Sequence, residues 1–578
     1  MRKKTWEFSP QTRWEYLNWL KKETLDVLVI GGGITGAGIV RDAAMRGLKT
    51  ALIEKGDFGG GTSSKSSKLI HGGFRYLSQF KFGLVHEALI ERRTLMQLAP
   101  HLVYPQECLL PIYGHSRSSP FMIHIGLWLY DLLAGRRNIG RHRMVSVNRM
   151  SRIEPLLRRE DLRQVAIYYD GKADDFRLVL ATLQSASWHG AAIANYVQAE
   201  EVAMENGRLA AVAAIDHLTG ERFWIKTRCV VNATGPWSDV VRHHLLQVTD
   251  RRVRTTKGIH LVIHREDLPI RHAVMVFAPQ DGRPIFAIPW KRFVLLGTTD
   301  TDYTGDPDWI PTERSDVDYL LEAYNDYFPG ARLTDEKIVS TFAGLRPLIY
   351  EENKLASDIT REHFIFEGPP LFFSIIGGKL TTYRVMAREI VDRVLQRLDR
   401  VYGVKPLHPE CRTAREPLAG GAISSFPAFR ERWIQRLHSE DKLPRDVAEH
   451  LVETYGSQLP TFLEVMHRVT DGTERLLPDL PYVRAQIDYA VNYEMTLAMD
   501  DFLIRRTHVF SLDRDQGQAV YESVGDVLAR LLGWDQEEWQ RQVQRYRKKI
   551  TYTRRYREQS DNEDQTHHQS QSRQREDP

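Results

Sequence analysis

The stretch from Asp26 to Glu54, DVLVIGGGITGAGIVRDAAMRGLKTALIE, constrains this chain more than any other. An apolar run, Val27 to Ile30, breaks into Gly31, Gly33 and Gly36 with G-x-G-x-x-G spacing. That pattern predicts a strand, a tight turn and a helix from Ile34 to Arg46, with Gly47 as its C-cap. A second strand, Lys49 to Ile53, ends in Glu54. If the ligand is a dinucleotide, each piece has a job: Gly31 permits the turn, Gly33 leaves room for a pyrophosphate against the backbone, and Gly36 lets helix and strand approach. The free N–H groups and positive dipole end of the helix then face the phosphates. Glu54 lies 23 positions beyond Gly31, near the spacing of about 20 expected for an acid on the adenosine ribose hydroxyls. Because all the parts occur in order, a merely structural glycine turn is the weaker reading. NAD, NADP and FAD are open at this point, and the acid argues against NADP.

A chain of 578 residues has room for about three to four domains. With 42% apolar and 27% charged residues it has the composition of a soluble globular protein. Its net charge of +4 does not call for nucleic acid. Three cysteines, Cys108, Cys229 and Cys411, lack C-x-x-C spacing. That pattern excludes a disulfide framework or a cysteine zinc site and fits a reducing cytoplasm; no metal site is expected. The N-terminal segment has basic residues but no apolar core or cleavage site, so a signal peptide is not expected. Phe121 to Leu133 is the longest apolar run, broken by His124 and Asp131, and is well short of the roughly 20 residues that cross a bilayer.

Residues 1–24 read as a helical lead-in, with Trp6, Trp14, Tyr16 and Trp19 packing on the body. After Glu54 comes KGDFGGGTSSKSSKLIHGGFRYLSQF, too rich in glycine and serine for a core. A solvated flexible loop would explain that composition. Lys65, Lys68 and Arg75, with His71 among the glycines, favour a loop that wraps an anionic cofactor through N–H and hydroxyl donors. Helices are predicted over 84–98 and 176–188, a strand over 192–197, a hairpin over 198–226, and a buried strand in CVVNATGPW at 229–237. Two strand ends with small residues, some two hundred positions apart, imply a discontinuous nucleotide domain. Between 252 and 340, segments such as PIFAIPW and RFVLLGTTD suggest an inserted antiparallel sheet. A strand then meets Gly377 and Gly378 and passes into a helix with Val385, Ala387, Ile390 and Val391 on its apolar side. Beyond about residue 405 the chain is helical, with Asp535 and Glu538 as a capping-box pair. From Glu558 it is polar and expected to be disordered.

These residues carry a resemblance. The fingerprint at 31–36, SSKSSKLIHGGFRYL at 63–77, DDFRLVL at 174–180, VVNATGPW at 230–237, KGIH at 257–260, IPW with GTTDTDYTGDP at 288–307, GLRP at 344–347 and GGKLTTYR at 377–384 resemble the FAD-dependent, respiratory glycerol-3-phosphate dehydrogenases, covering residues 25 to about 400. The resemblance implies an α/β chain: a two-nucleotide-fold FAD domain with a Rossmann-type βαβ unit over 25–100, 160–250 and 340–400, an antiparallel β-sheet substrate cap over 101–159 and 251–339, a helical C-terminal domain over 405–557, and a disordered tail over 558–578. It also implies noncovalent FAD, oxidation of sn-glycerol 3-phosphate to dihydroxyacetone phosphate, and electrons leaving for membrane quinone. A homodimer is left open.

On physical grounds Arg346 is the best phosphate candidate, since Pro347 pushes it toward an extended conformation within an apolar stretch; a structural ion pair is the alternative. The resemblance places Arg346 and Arg361 on the substrate, and Arg75 and Lys379 around the reacting end. A bidentate arginine suits phosphate better than lysine does. For the base, His71 and His260 both stand in motif positions; His260 is preferred, with an arginine or a bound water still open. The cofactor set is Gly31, Gly33, Gly36, Glu54, Thr62, Ser63, Ser64, Ser66, Ser67, Lys68, His71, Ala233, Gly235, Gly378, Lys379, Leu380, Thr381 and Thr382, with the last two by the flavin pyrimidine. A quinone acceptor calls for peripheral docking on the cytoplasmic face of the membrane. Two stretches offer themselves to anionic lipid: Phe121–Leu133 followed by Arg136, Arg137 and Arg141, and the basic RYRKKITYTRRYR at 545–557, which a solvated helix face would also explain. Oxidases that resemble this chain carry a long insertion between the two arginine motifs; Arg346 and Arg361 are 15 positions apart here, which favours the dehydrogenase.

Overall fold

A computed structural model describes residues 7–116, 118–352 and 362–573, with side chains placed for all of these except 75, 78 and 559–573. Two sheets and a helical unit meet around one cavity.

The first sheet has six strands in the order His363–Glu367, Phe372–Gly377, Val230–Asn232, Val27–Ile30, Thr50–Ile53, Ala192–Ala194. Its last five strands run parallel and are buried throughout except at Gly377, while the first pairs antiparallel as a hairpin. That is the continuous apolar signature of strands covered on both faces. Helix Ile34–Met45 packs between helices Asp175–Trp188 and Tyr383–Tyr402 on one side of this sheet. The fingerprint glycines act as expected. Gly31 takes φ +111°, and a Cβ on Gly36 would stand 1.9 Å from the Gly31 carbonyl oxygen.

The second, larger sheet runs Thr301–Asp302, Val253–His264, Phe293–Gly297, Pro284–Trp290, Ala273–Phe277, Val103–Tyr113, Leu162–Ala173, Leu69–Ile70. Ile338–Ile349 also pairs along Val253–His264, and Arg143–Val145 along Leu162–Ala173. Domain boundaries move as a result, and Leu69–Ile70, from the expected nucleotide range 25–100, joins this sheet as well. Leu162–Ala173 and Ile338–Ile349, expected in the nucleotide domain, belong to the cap sheet because each is zipped along nearly its whole length to a cap strand. The sheet is also not purely antiparallel, since Ala273–Phe277 pairs parallel with Val103–Tyr113. The predicted hairpin at 198–226 is a three-stranded antiparallel sheet.

In the lead-in helix, Pro10–Leu20, Tyr16 is buried and Arg13 pairs with Asp216 at 2.6 Å. Trp14, expected to pack on the body, is instead exposed, and Trp6 lies outside the described residues. The C-terminal unit is helical as expected. The Asp535 carboxylate accepts the Glu538 N–H at 2.8 Å, but the Glu538 side chain turns to Gln542 and Arg541, so only half of the predicted capping box forms. The last helix runs from Gln536 through Arg573, beyond the boundary at 558 where disorder was expected; that stretch is polar but holds neither glycine nor proline to break the helix.

Candidate functional site

A cavity of about 1010 Å³ runs from Glu54 at one end to His260 and Arg346 at the other. At the first end the Glu54 carboxylate accepts the N–H of Gly32 at 2.7 Å and of Gly56 at 2.9 Å. Burial raises its pKa, and the two backbone donors oppose that shift. Beyond it the turn opens onto the first N–H groups of helix Ile34–Met45, where Ile34 N–H donates to the Ser63 hydroxyl at 3.0 Å. Thr62 donates to the Leu345 carbonyl at 2.6 Å, which ties the serine loop to the cap strand. Trp237 Nε1 is buried in the cavity wall with no hydrogen-bond partner among the described residues.

Asp175 shapes this loop, and sequence reasoning missed it as a site residue. It opens helix Asp175–Trp188, with Asp174 as N-cap. Its carboxylate accepts from Ser66 N–H at 3.1 Å, Ser66 Oγ at 2.7 Å and Lys68 Nζ at 2.6 Å. Lys68, assigned to the cofactor, is therefore turned away from the cavity into a buried ion pair, with its ammonium over the Trp290 ring. Ser64 does not line the cavity either. Thr381 acts indirectly: its hydroxyl accepts from His71 N–H at 3.1 Å and donates to His71 O at 3.2 Å. Thr382 faces a smaller neighbouring pocket.

The other end is built on one face of two paired strands. Thr256, Gly258 and His260 lie opposite Arg346, Gly344 and Phe342 in register, so side chains two apart share the cavity face. The His260 ring stacks on Phe342 at 4.8 Å and approaches the Ser67 hydroxyl through Nε2 at 2.8 Å. Gly297 leaves space for that ring; a Cβ there would stand 2.4 Å from His260 Cδ2. Burial first, then the charges of Arg346 and Lys68, push the His260 pKa down to about 3, so the imidazole is neutral. Arg346 is held by Asp300 Oδ1 at 3.0 Å, Thr298 Oγ1 at 3.1 Å and Thr299 O at 3.1 Å. The contact with Asp300 is the ion pair left open as the alternative for Arg346, and all three anchoring residues belong to the GTTD motif.

Lys379 stands 3.9 Å from the centroid of the Tyr76 ring. Asp170 fixes the neighbouring loop by accepting from Gly72 N–H at 3.0 Å, Tyr130 Oη at 2.7 Å and Arg92 Nη1 at 2.9 Å. The Arg75 side chain and all of Arg361 lie outside what the structure describes. Of the other predicted residues, Gly31, Gly33, Glu54, Thr62, Ser63, Ser66, Ser67, His71, Ala233, Gly235, Gly378, Lys379 and Leu380 meet in the cavity. Gly36 serves the helix–strand contact beneath it. The cavity also takes Lys65, Arg505, Arg545 and Lys549; the last three come from the C-terminal unit and were not foreseen there.

A dinucleotide turn with an acid at the ribose position defines a dinucleotide-binding protein, and the family match makes it an FAD-dependent oxidoreductase. The family model for FAD dependent oxidoreductases matches residues 26–384, and that for the C-terminal domain of alpha-glycerophosphate oxidase matches residues 411–539. The chain is 38% identical over 523 residues to an aerobic glycerol-3-phosphate dehydrogenase of Staphylococcus haemolyticus, covering 90% of this chain and 93% of that one. It is also 38% identical over 519 residues to a namesake from Staphylococcus aureus, covering 89% and 92%. A crystal structure of glycerol-3-phosphate dehydrogenase from Bacillus halodurans complexed with FAD superposes with a TM-score of 0.79 at 33% identity, over 94% of this chain and 98% of that one. The chain belongs to the family of the aerobic glycerol-3-phosphate dehydrogenases.

Proposed function

We propose that this protein oxidises sn-glycerol 3-phosphate to dihydroxyacetone phosphate with noncovalently held FAD and passes the electrons to a membrane quinone. The observation that carries the reading is the pairing, on one sheet face, of a rigidly anchored cation, Arg346, with a neutral buried imidazole, His260. When bound, FAD supplies the hydride acceptor for C2 of the substrate. The glycine turn, Glu54 and the serine loop would hold it, the N-terminus of helix Ile34–Met45 offering its N–H groups and positive dipole end to the phosphates. Arg346 is proposed to hold the substrate phosphate by its charge, and Arg361 is proposed as a second ligand. His260 is proposed as the acceptor of the C2 hydroxyl proton, with its ring positioned by the Ser67 hydroxyl at Nε2. A bound phosphate dianion neutralises the field of Arg346, one of the charges that depress His260, and so strengthens the base when substrate is in place. Lys379, His71 and Arg75 are proposed to bound the reacting end.

Docking is proposed through helix Pro120–Ala134. Phe121, Ile125, Trp128 and Leu132, spaced as one helical stripe, are all exposed, and exposed Arg136, Arg137 and Arg141 follow. An apolar stripe beside cations fits an anionic lipid surface. Among the described residues no helix is long and apolar enough to cross a membrane. In the second stretch expected at the lipid, 545–557, Tyr546, Ile550 and Tyr556 are buried and Arg545 and Lys549 pair with Asp500 at 3.0 and 2.7 Å, while Arg547, Lys548 and Arg555 are exposed.

One observation favours oxygen as the acceptor instead, namely that the C-terminal match carries the name of an oxidase. The primary reading is tested by anaerobic titration of the purified flavoprotein. Glycerol 3-phosphate is expected to bleach the flavin bands, while glycerol and amino acids leave them unchanged; bleaching by an amino acid would overturn the assignment.

A further inference from the structure

The cavity wall behind the serine loop carries more positive charge than its own carboxylates neutralise. Asp57 is shared by Arg505 and Arg506. Asp500 takes Lys549 and Arg545. Asp501 takes Arg505 at 2.8 Å, the Tyr196 hydroxyl at 2.6 Å and two backbone N–H groups. Lys65 adds a further ammonium that makes no ion pair or hydrogen bond among the described residues. The charged groups that act on it are Lys549, Arg505 and Asp308, and Asp308 is engaged by Lys55 at 2.7 Å. Five cations thus face three carboxylates, and Lys65, Arg505 and Lys549 border the cavity.

Like charges held together in a desolvated wall repel, and a fold that keeps them is destabilised unless an anion enters. Burial and the two neighbouring cations press the Lys65 pKa down to about 8. Arg505 uses Nε and Nη2 on Asp57 and Asp501, which leaves Nη1 without a partner among the described residues. The excess of two positive charges equals the charge of a pyrophosphate diester or of a phosphate monoester dianion. The cluster also spans two units of the chain, since Lys65 comes from the serine loop and Arg505 and Lys549 from the C-terminal unit.

We propose that Lys65, Arg505 and Lys549 form a phosphate-group subsite, completed only when the C-terminal helical unit docks against the serine loop, so that this unit takes part directly in ligand binding. The phosphate has two sources, the cofactor's own pyrophosphate or a free phosphate monoester or inorganic phosphate that reaches the same wall.

The test uses full-length wild type with Lys65→Met, Lys65→Gln and Lys65→Arg. Apoprotein is titrated with FAD by flavin fluorescence, and holoprotein is titrated with inorganic phosphate at constant ionic strength by thermal midpoint. If the cofactor is the source, both neutral variants weaken FAD binding by about tenfold or more, Lys65→Arg restores it, and the apoprotein thermal midpoint of the neutral variants rises because a repulsion is gone. If free phosphate is the source, FAD binding is unchanged, and wild-type holoprotein shows a saturable rise in midpoint with phosphate that the neutral variants lose. The wild-type phosphate titration needs no variant to fold. FAD affinity unchanged together with no saturable phosphate response in wild type overturns the proposal.

Discussion

The Arg346 guanidinium lies across the bare Cα of Gly258, so close that a Cβ there would stand 2.5 Å from Nη2 and 2.7 Å from Nη1. The two residues sit two positions apart in the register of their paired strands, on the cavity face. Thr298 Oγ1 stands 2.6 Å from the same point and accepts from Arg346 Nη2 at 3.1 Å, so a methyl group there would press on the guanidinium and on one of its anchors together.

Gly258→Ala is therefore expected to act as a remote version of Arg346→Ala. Both should lower kcat/KM for glycerol 3-phosphate by an amount equivalent to about 2–5 kcal/mol, and both should leave the FAD spectrum in place. Steady-state kinetics with a dye acceptor check this. Equal losses toward glycerol and glycerol 3-phosphate would show that Arg346 serves the fold and not the phosphate.

Asp175→Ala leaves the Lys68 ammonium buried without its carboxylate and frees Ser66 as well. Removing one partner of such a pair costs about 3–5 kcal/mol. The expected outcome is a clear drop in thermal midpoint, with FAD more easily lost on dilution. Lys68→Met in the same background should recover part of the stability, since it removes the stranded charge; no recovery would place the effect of Asp175 elsewhere.

Acid should weaken the fold earlier than carboxylate chemistry alone requires. Burial, then Arg346 and Lys68, hold His260 at about 3, and burial, then Arg177, holds His101 at about 3. In the unfolded chain such rings titrate near 6.5. Between these values the unfolded state binds protons that the native state does not, so stability is fully present above about pH 6.5 and falls as pH drops. Each ring contributes up to about 1.4 kcal/mol per pH unit in that window. Thermal midpoints at pH 7.5, 6 and 5 in matched ionic strength should descend; a level profile would mean that these rings are already charged in the native protein.

Flotation with anionic vesicles should depend on the exposed stripe. Replacing Phe121 and Trp128 by Ser is expected to abolish binding while leaving dye-linked turnover unchanged, because neither residue lines the cavity. Raising salt should weaken wild-type binding through Arg136, Arg137 and Arg141, at about 1 kcal/mol per basic residue near the surface. Undiminished flotation of the double variant would move the docking face elsewhere.

Acceptor preference is checked at saturating glycerol 3-phosphate with a quinone analogue in one cuvette and dissolved oxygen in another. Fast quinone turnover and slow peroxide formation are expected. An oxygen rate equal to or above the quinone rate would reverse the choice of acceptor.

Local chemistry carried most of what was readable in the sequence. The turn at Gly31 to Gly36 demands glycine for reasons internal to a few residues, and so the nucleotide unit was legible. Arg346 was legible because proline and glycine flank it. What sequence spacing hid was pairing across long separations: Leu162–Ala173 and Ile338–Ile349 join the cap sheet through partners far along the chain. Lys68 looked like a phosphate ligand, and only the fold brings Asp175 to it. The basic run at 545–557 was read as a surface, although Val543, Tyr546 and Ile550 already recur at helical spacing and are the buried face of that helix.

The residues lining the cavity extend from Ile30 to Lys549. During synthesis, the glycine turn emerges long before the helix that supplies Arg545 and Lys549. A nascent chain therefore presents the turn and the serine loop as an open trough, and the flavin pocket has its full wall only after almost the whole polypeptide has left the ribosome. Cofactor capture is in this sense a late event of biogenesis, and a translation product halted after the second sheet would display the fingerprint without a closed container for what it recognises.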